Sequence, residues 1–348
     1  MATKVTYKGK SIETKFYKPI TDEQFEQLRK EYYTKPNFKS VQEQMLNVKN
    51  GGNKNNIITD YYMKDLMAKC LVHQSKWSIE DVFNCKDLVS VFYAKTLENK
   101  KIFLEEETML RKIETAIRLG GKGIARKVTN FPLETVDQIL DRYNINGNWY
   151  DFSCGWGDRL LGALRNRVNY FGTDPNYLLT ERLKQLEKDY KQISGTNTIV
   201  DIRTQGSEKF IPEWENKMGV AFSSPPYFLL EDYVVGDQSY KEGTTYQEWK
   251  DNYLEPTFRN IFYYLIQEGY FILNINNFDK YDLVGDSIEI AKKVGFVFIR
   301  EHQLKNIKRC NTNGEFNDGV ESVLVFCKDG YQNLVSYRKD YSEQTSLF

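Results

Sequence analysis

The stretch Tyr150-Asp151-Phe152-Ser153-Cys154-Gly155-Trp156-Gly157-Asp158 is where a short apolar run hands over to an amphipathic one. Trp149–Phe152 reads as a buried strand, and Asp158-Arg159-Leu160-Leu161-Gly162-Ala163-Leu164 as the opening turns of a helix. Two glycines at the junction let the backbone approach a ligand that side chains would block, so a nucleoside cofactor fits there. Alone, such a Gly-x-Gly pair is weak, because any tight strand-to-helix turn accounts for it.

From about residue 129 onward, short apolar or β-branched runs alternate with amphipathic segments, the sequence signature of a βαβ sheet. Strands are expected at Trp149–Phe152, Tyr170–Thr173, Ile199–Thr204, Val220–Ser223, Gly269–Ile275, Val297–Gln303 and Ser322–Cys327. Between the second and third, Leu178–Tyr190 carries Leu179, Leu183 and Leu186 on one helical face. The second strand ends Phe171-Gly172-Thr173-Asp174-Pro175-Asn176, which puts a carboxylate where both hydroxyls of a ribose could donate to it. A dinucleotide oxidoreductase could use the same pair of features, but only two glycines of the first loop stand in register. The fourth strand runs directly into Ser224-Pro225-Pro226-Tyr227-Phe228. Prolines lack an N–H and fix φ, so this loop is stiff and its preceding carbonyls are free to accept hydrogen bonds. A planar amine is a natural guest.

Taken together, the loop from Asp151 to Gly157, the acidic strand end at Asp174 and the Ser224 to Tyr227 loop resemble the S-adenosylmethionine-dependent amino-methyltransferases of DNA, over roughly residues 129 to 327. The resemblance implies an α/β fold of the class I methyltransferase (Rossmann-like) type, with a mostly parallel seven-stranded sheet and a helical N-terminal region. It implies S-adenosyl-L-methionine as cofactor, with Asp151, Ser153, Gly155, Trp156 and Gly157 on its methionine side and Asp174 on its ribose, Asn176 lying beside it. Thr129 and Phe131, in Thr129-Asn130-Phe131-Pro132, would open the family's extra helix, running through Val136 and Leu140, which helps hold the methionine carboxylate. Ser207, in Gln205-Gly206-Ser207-Glu208, would sit near the adenine.

Catalysis would fall to Ser224, Pro225, Pro226 and Tyr227. Acceptors at Ser224 and the Pro225 carbonyl would draw the amine lone pair out of conjugation and aim it at the sulfonium methyl, and no dedicated base is needed. Tyr227, with Phe228, would stack on a base flipped out of the helix. The implied target is N4 of cytosine or N6 of adenine, with the serine at the head of the loop leaning to cytosine, as in DNA methylation by restriction-modification systems. An RNA base methyltransferase is the runner-up. An inactive methyltransferase-like binding scaffold is a third reading, opposed by the intact Gly155, Gly157, Asp174 and Ser224 to Tyr227.

The chain divides in this reading into a helical N-terminal region, residues 1–128, available for substrate recognition, and a methyltransferase domain, 129–348. Thr21-Asp22 caps a helix through Phe25, Leu28 and Tyr32, and Asn50-Gly51-Gly52-Asn53 is a break. Tyr61 to Val72, Ser78 to Leu97, opened by an acidic capping box with Asp81, and Phe103 to Leu119, stopped by Gly120-Gly121, complete the helices.

Composition sets the remaining bounds. With 348 residues, 41% hydrophobic and 14% aromatic, the chain can bury more than one core. Lys plus Arg and Asp plus Glu balance at 48 each, so any nucleic-acid contact must be a local patch. Lys122 and Arg126, in the Arg118 to Lys127 stretch, are the candidates for substrate binding, followed by the run Lys305 to Arg309. Five scattered cysteines without a CxxC pair argue against a disulfide framework or zinc site, and the two histidines, His73 and His302, are not spaced as metal ligands. No window approaches the apolar length of a membrane span, and a cytoplasmic setting is expected.

Overall fold

The structure, a computed structural model, describes residues 2–98, 107–143, 147–233, 238–241, 243–310 and 316–328, with side chains described outside 304–310 and 316–321. The side chains of the basic run from Lys305 to Arg309 and the first residues of the helix expected from Phe103 therefore lie outside what is described.

The chain opens with a hairpin that the sequence reading did not anticipate, β1 (Thr3–Tyr7) paired antiparallel to β2 (Lys10–Thr14). Its turn is Lys8-Gly9, both at positive φ, +47° and +71°, the backbone that tight hairpins demand. Helices follow: α1 (Asp22–Tyr33), α2 (Phe38–Lys49), α3 (Asn56–Tyr62) and α4 (Lys64–Lys69). Thr21 and Gln24 form a reciprocal capping box on α1. The helix expected to reach Val72 stops at Lys69, because Leu71–Val72 (β3) is drawn into a two-stranded ladder with a segment far along the chain. Ser78 and Asp81 do form the expected capping box, but the helix expected to reach Leu97 is two, α5 (Ile79–Phe83) and α6 (Lys86–Glu98). Then come α7 (Met109–Gly120) and α8 (Leu133–Arg142).

The sheet strands begin with β4 (Asn148–Asp151), followed by α9 (Asp158–Arg165), β5 (Asn169–Asp174), α10 (Tyr177–Ser194), β6 (Val200–Thr204) and β7 (Met218–Ser223). After the short β8 (Glu231–Asp232), α11 (Tyr246–Trp249) continues through a π-helical turn, Lys250–Leu254, into α12 (Glu255–Tyr264). The described residues end on β9 (Leu265–Ile275), α13 (Leu283–Val294), β10 (Val297–Cys310) and β11 (Phe316–Cys327). Seven strands form one sheet in the order β10-β11-β9-β7-β4-β5-β6. The five from β6 to β9 run parallel, and β11 lies antiparallel between β9 and β10. This is the class I methyltransferase arrangement, with all seven expected strands present and the last three longer than the sequence pattern suggested.

Period-two alternation divides the core between the sheet's two faces. Trp149, Tyr170, Val220, Phe222 and Ile272 pack on one side with α8, α9 and α10, while Tyr150, Phe152, Ala221, Phe271 and Leu273 pack on the other with Trp214, Trp249, Phe258 and Ile261. The first cluster also takes in Val41, Met45, Ile58, Tyr62 and Leu66 of α2, α3 and α4, so these helices are built onto the sheet domain. Only the rest of the N-terminal region, around Leu28, Trp77, Phe83, Phe92 and Ile117, has a cluster of its own. Among the described residues no helix is long and apolar enough to cross a membrane.

Close contact between α8 and α9 passes through Gly162, where an added Cβ would stand 2.4 Å from Val136 Cγ1. Valine is stiff at χ1 and cannot swing away. Overpacking of this kind costs about 1–3 kcal/mol, against about 1 kcal/mol gained from helix propensity when glycine becomes alanine. Gly162→Ala is therefore expected to lower the denaturation midpoint, and combining it with Val136→Ala should give a loss smaller than the sum of the two, measured in a double-mutant cycle.

Candidate active site

The strand order reverses between β4 and β7, and in open α/β sheets the crevice beyond the strand ends at such a point receives ligands. At the end of β4 the chain turns into α9 through Gly155 and Gly157, at φ +59° and +97°, conformations that favour glycine. Gly157 lies against Leu183 and Leu186 of α10, and it is Gly155 that faces the crevice.

Asp151 departs from its expected place. Its carboxylate is fully buried and accepts from Arg159 Nε (2.8 Å), the Tyr170 hydroxyl (2.7 Å) and the Ser153 N–H (3.3 Å), so it has no face toward a ligand. What it orients is Arg159, whose guanidinium also donates to the Ser153 carbonyl and to Ser223 Oγ (3.2 Å) and lies over the Phe131 ring. The sequence reading passed over Arg159. Its signal was a basic residue eight positions beyond an acid that sits on a buried strand.

Asp174 lines the crevice, and burial pushes its carboxyl up to about 7 even though the Asn176 N–H donates to it at 3.0 Å. Burial likewise raises Asp158 to about 7, although Asn55 Nδ2 donates to it. The Asn176 side chain accepts from the Leu179 N–H as the cap of α10. Asn130 lies beside Phe131, its Nδ2 bonded to Thr59 Oγ1 at 2.7 Å and its Oδ1 buried without a hydrogen-bond partner among the described residues. Ser207 is not in the crevice: it is buried, its hydroxyl at 2.9 Å from Thr257 Oγ1 and its carbonyl accepting from Asn260 Nδ2, both on α12. Tyr253, on the π-helical turn, is buried, and burial raises its hydroxyl pKa.

From the other side, β7 delivers Ser224 to Tyr227. Asn274 Nδ2, at the end of β9, donates to Ser224 Oγ (2.9 Å), and the Asn276 N–H donates to the Tyr227 hydroxyl (3.0 Å), which fixes the tyrosine ring. The Tyr227 carbonyl accepts from the Leu230 N–H (3.2 Å), closing a turn in which Leu229 holds φ +60°. A non-glycine residue there costs about 1–2 kcal/mol, strain typical of functional loops. Phe228, expected to stack on a base, is turned the other way: it is buried among Tyr240, Tyr246, Trp249 and Tyr281 and anchors the loop from beneath.

Both halves border one cleft of about 860 Å³. Thr129, Phe131, Ser153, Gly155, Trp156, Asp174 and Asn176 line it, and so do Ser224, Pro225, Pro226, Tyr227 and Arg126. Asp151, Gly157, Ser207, Phe228 and Lys122 do not, Lys122 being exposed beyond the rim. The structure adds Arg118, Asn130, Asp158, Arg159, Glu231, Tyr233 and the amides of Asn274 and Asn276 to the lining. The two asparagines end a strand that was recognised, in Asn274-Ile275-Asn276-Asn277, a polar alternation at the sheet's carboxyl edge.

No protein-family model and no curated protein matches this chain. Among solved structures it is similar to the [4+2]-cyclase SpnF, at 13% identity and TM-score 0.40, over 56% of this chain and 81% of that one. It is similar to a TehB-like S-adenosylmethionine-dependent methyltransferase from Corynebacterium glutamicum at 16% identity and TM-score 0.36, over 57% and 86% of the two chains. A similar likeness holds for an S-adenosylmethionine-dependent O-methyltransferase from Thermotoga maritima, at 10% identity and TM-score 0.40, over 58% and 68%. The fold itself rests on strand order and direction.

Proposed function

We propose that this chain transfers a methyl group from S-adenosyl-L-methionine to an exocyclic amino group of a nucleic-acid base, with DNA as the polymer and N4 of cytosine or N6 of adenine as the target. The observation that carries this reading is that one cleft holds both the glycine turn with Asp174 and the rigid Ser224 to Tyr227 loop.

The residues on the cofactor side fit such a group. Gly155 leaves the backbone bare, the Asn130 Oδ1 is a buried acceptor lacking a donor, and Asp174 offers a carboxylate beside a strand end. When bound, S-adenosyl-L-methionine supplies an activated methyl on a sulfonium. Ser224 Oγ already takes the Asn274 N–H, so its remaining lone pair and the neighbouring carbonyls accept from the target amine and aim its lone pair. Tyr227, pinned through its hydroxyl, offers a ring face for a flat heterocycle. Arg118 and Arg126 border the cleft, and neither has a carboxylate partner among the described residues, which suits a phosphate backbone at the rim.

The direct test is incubation with methyl-labelled S-adenosyl-L-methionine and unmodified DNA or RNA, followed by nucleoside mass spectrometry. An N-methylated deoxycytidine or deoxyadenosine is expected; a methylated ribonucleoside alone would move the substrate to RNA, and no methylated base would overturn the reading. Tyr227→Ala should leave cofactor affinity nearly unchanged and lower kcat/KM about 10- to 100-fold, the scale of one lost base stack.

Asp174 gives a pH signature. Ribose hydroxyls favour the ionised carboxylate, so binding draws its pKa down from about 7 and releases a proton. Affinity should rise with pH through 6 to 7 and then level, weakening by at most about tenfold per unit below. Without ligand the sign is opposite: a carboxyl raised in the folded state contributes stability present at low pH and lost as pH rises through 7. Calorimetry at pH 6.5 in buffers of different ionisation enthalpy measures the released proton, and Asp174→Asn should reduce it, leaving any share that belongs to Asp158.

A further inference from the structure

Glu231 is a carboxyl in the cleft with no cation paired to it among the described residues. Holding an acid in a desolvated place without a positive partner costs free energy, and burial pushes this carboxyl up. Its position is nevertheless strongly determined. The turn closed by the Leu230 N–H on the Tyr227 carbonyl, with Leu229 strained at its third position, places Glu231 directly after that turn, four residues beyond Tyr227. The backbone on either side is fixed from the N-terminal region, by the β3–β8 ladder and by the His73 N–H donating to the Leu230 carbonyl at 2.7 Å. The Tyr240 hydroxyl donates to the Glu231 carbonyl at 2.9 Å. One carboxyl oxygen, Oε2, accepts from the Tyr233 hydroxyl at 2.6 Å, and the Tyr233 ring leans on Trp156 of the glycine loop at 6.1 Å. The pair thus spans from the catalytic loop to the cofactor loop, which is where the methyl acceptor must lie.

We infer that the Glu231 carboxyl, held by Tyr233, is a specificity-determining group that reads the edge of the target base formed by the amino group and the adjacent ring nitrogen. The inference rests on the reading of the site as a base amino-methyltransferase. Cytosine and adenine share one feature there, an amino donor next to a ring-nitrogen acceptor, and a carboxyl that takes up a proton as the base binds would meet both at once: its O–H donates to the ring nitrogen and its carbonyl oxygen accepts one amino hydrogen. The second amino hydrogen is left for the acceptors at Ser224 and the Pro225 carbonyl. Because the Tyr233 hydroxyl donates to Oε2 and so favours the proton on Oε1, the carbonyl and ring N–H that thymine and guanine present on the corresponding edge would be mismatched.

The test is steady-state methyl transfer to oligonucleotides carrying the natural target base or its analogue with the adjacent ring nitrogen replaced by carbon, 3-deazacytosine or 1-deazaadenine. The parent should lose about tenfold or more in kcat/KM on the analogue, as sites built for a hydrogen bond do when it is missing. Glu231→Ala should lose a similar factor on the natural base and be indifferent to the analogue. Glu231→Gln should restore much of the rate and discrimination, since an amide presents the same donor and acceptor, and this variant also shows that the loop still folds. Unchanged kcat/KM and discrimination in Glu231→Ala would overturn the inference while leaving the base-methylating reading intact. A Glu231→Ala defect confined to S-adenosyl-L-methionine affinity, measured by calorimetry, would overturn it by assigning the carboxyl to the cofactor. A parent that methylates no base would overturn both.

Discussion

Everything at the cleft hangs on a buried ion pair, Asp151 with Arg159, joined at 2.8 Å with both side chains almost wholly out of solvent. Burying two such ions costs several kcal/mol each unless their remaining donors and acceptors are satisfied. Here Asp151 receives three donors, and Arg159 reaches the Ser153 carbonyl and Ser223 Oγ. The pair therefore ties the end of β4, the glycine turn, the first helical turn of α9, the start of β5 and the last residue of β7 into one rigid assembly. The two loops that carry the proposed chemistry are consequently held against each other. Catalysis by positioning needs that stiffness, because misplacement by about 1 Å can cost a hundredfold in rate.

The second constraint comes from the opposite end of the chain. Helices α2 to α4 share the apolar cluster of one sheet face, and Arg182 of α10 makes a bidentate pair with Asp65 of α4, with the Tyr62 hydroxyl bonded to Asp189. Continuing from there, β3 pairs with β8 just beyond the Ser224 to Tyr227 loop and its turn. The strained turn at Leu229 persists because this ladder and the aromatic anchor of Phe228 determine it from both sides. Residues assigned by sequence to a separate recognition region thus also shape the roof of the cleft.

Legibility differed by physical cause. The strands were readable because those of a parallel sheet are buried on both faces and appear as uninterrupted apolar runs. The glycine turn was readable because its backbone conformation leaves few substitutes. Phe228 was misread because a loop aromatic looks the same in sequence whether it faces a ligand or the core. Asp151 was misread for a related reason: at a strand's carboxyl end, one residue faces the crevice and the next the interior, and only packing tells which. The hairpin at Lys8-Gly9 had its turn signal, but two short strands with few apolar residues carried little periodicity around it.

By itself, then, the sequence determined the class of fold, the order of strands along the chain, the glycine turn after the first strand of the sheet domain and the stiffness of the Ser224 to Tyr227 loop, since all of these follow from local backbone rules and short-range periodicity. Tertiary structure alone decided which side chains share the cleft. Arg159, Asn130, Glu231, Tyr233 and Asn274 come from separate segments, and their juxtaposition depends on the register of non-adjacent strands and on a two-residue ladder between positions more than 150 apart in the chain. Such contacts leave no local imprint, because the free energy that selects them comes from burial and hydrogen bonding that exist only after the chain has closed on itself.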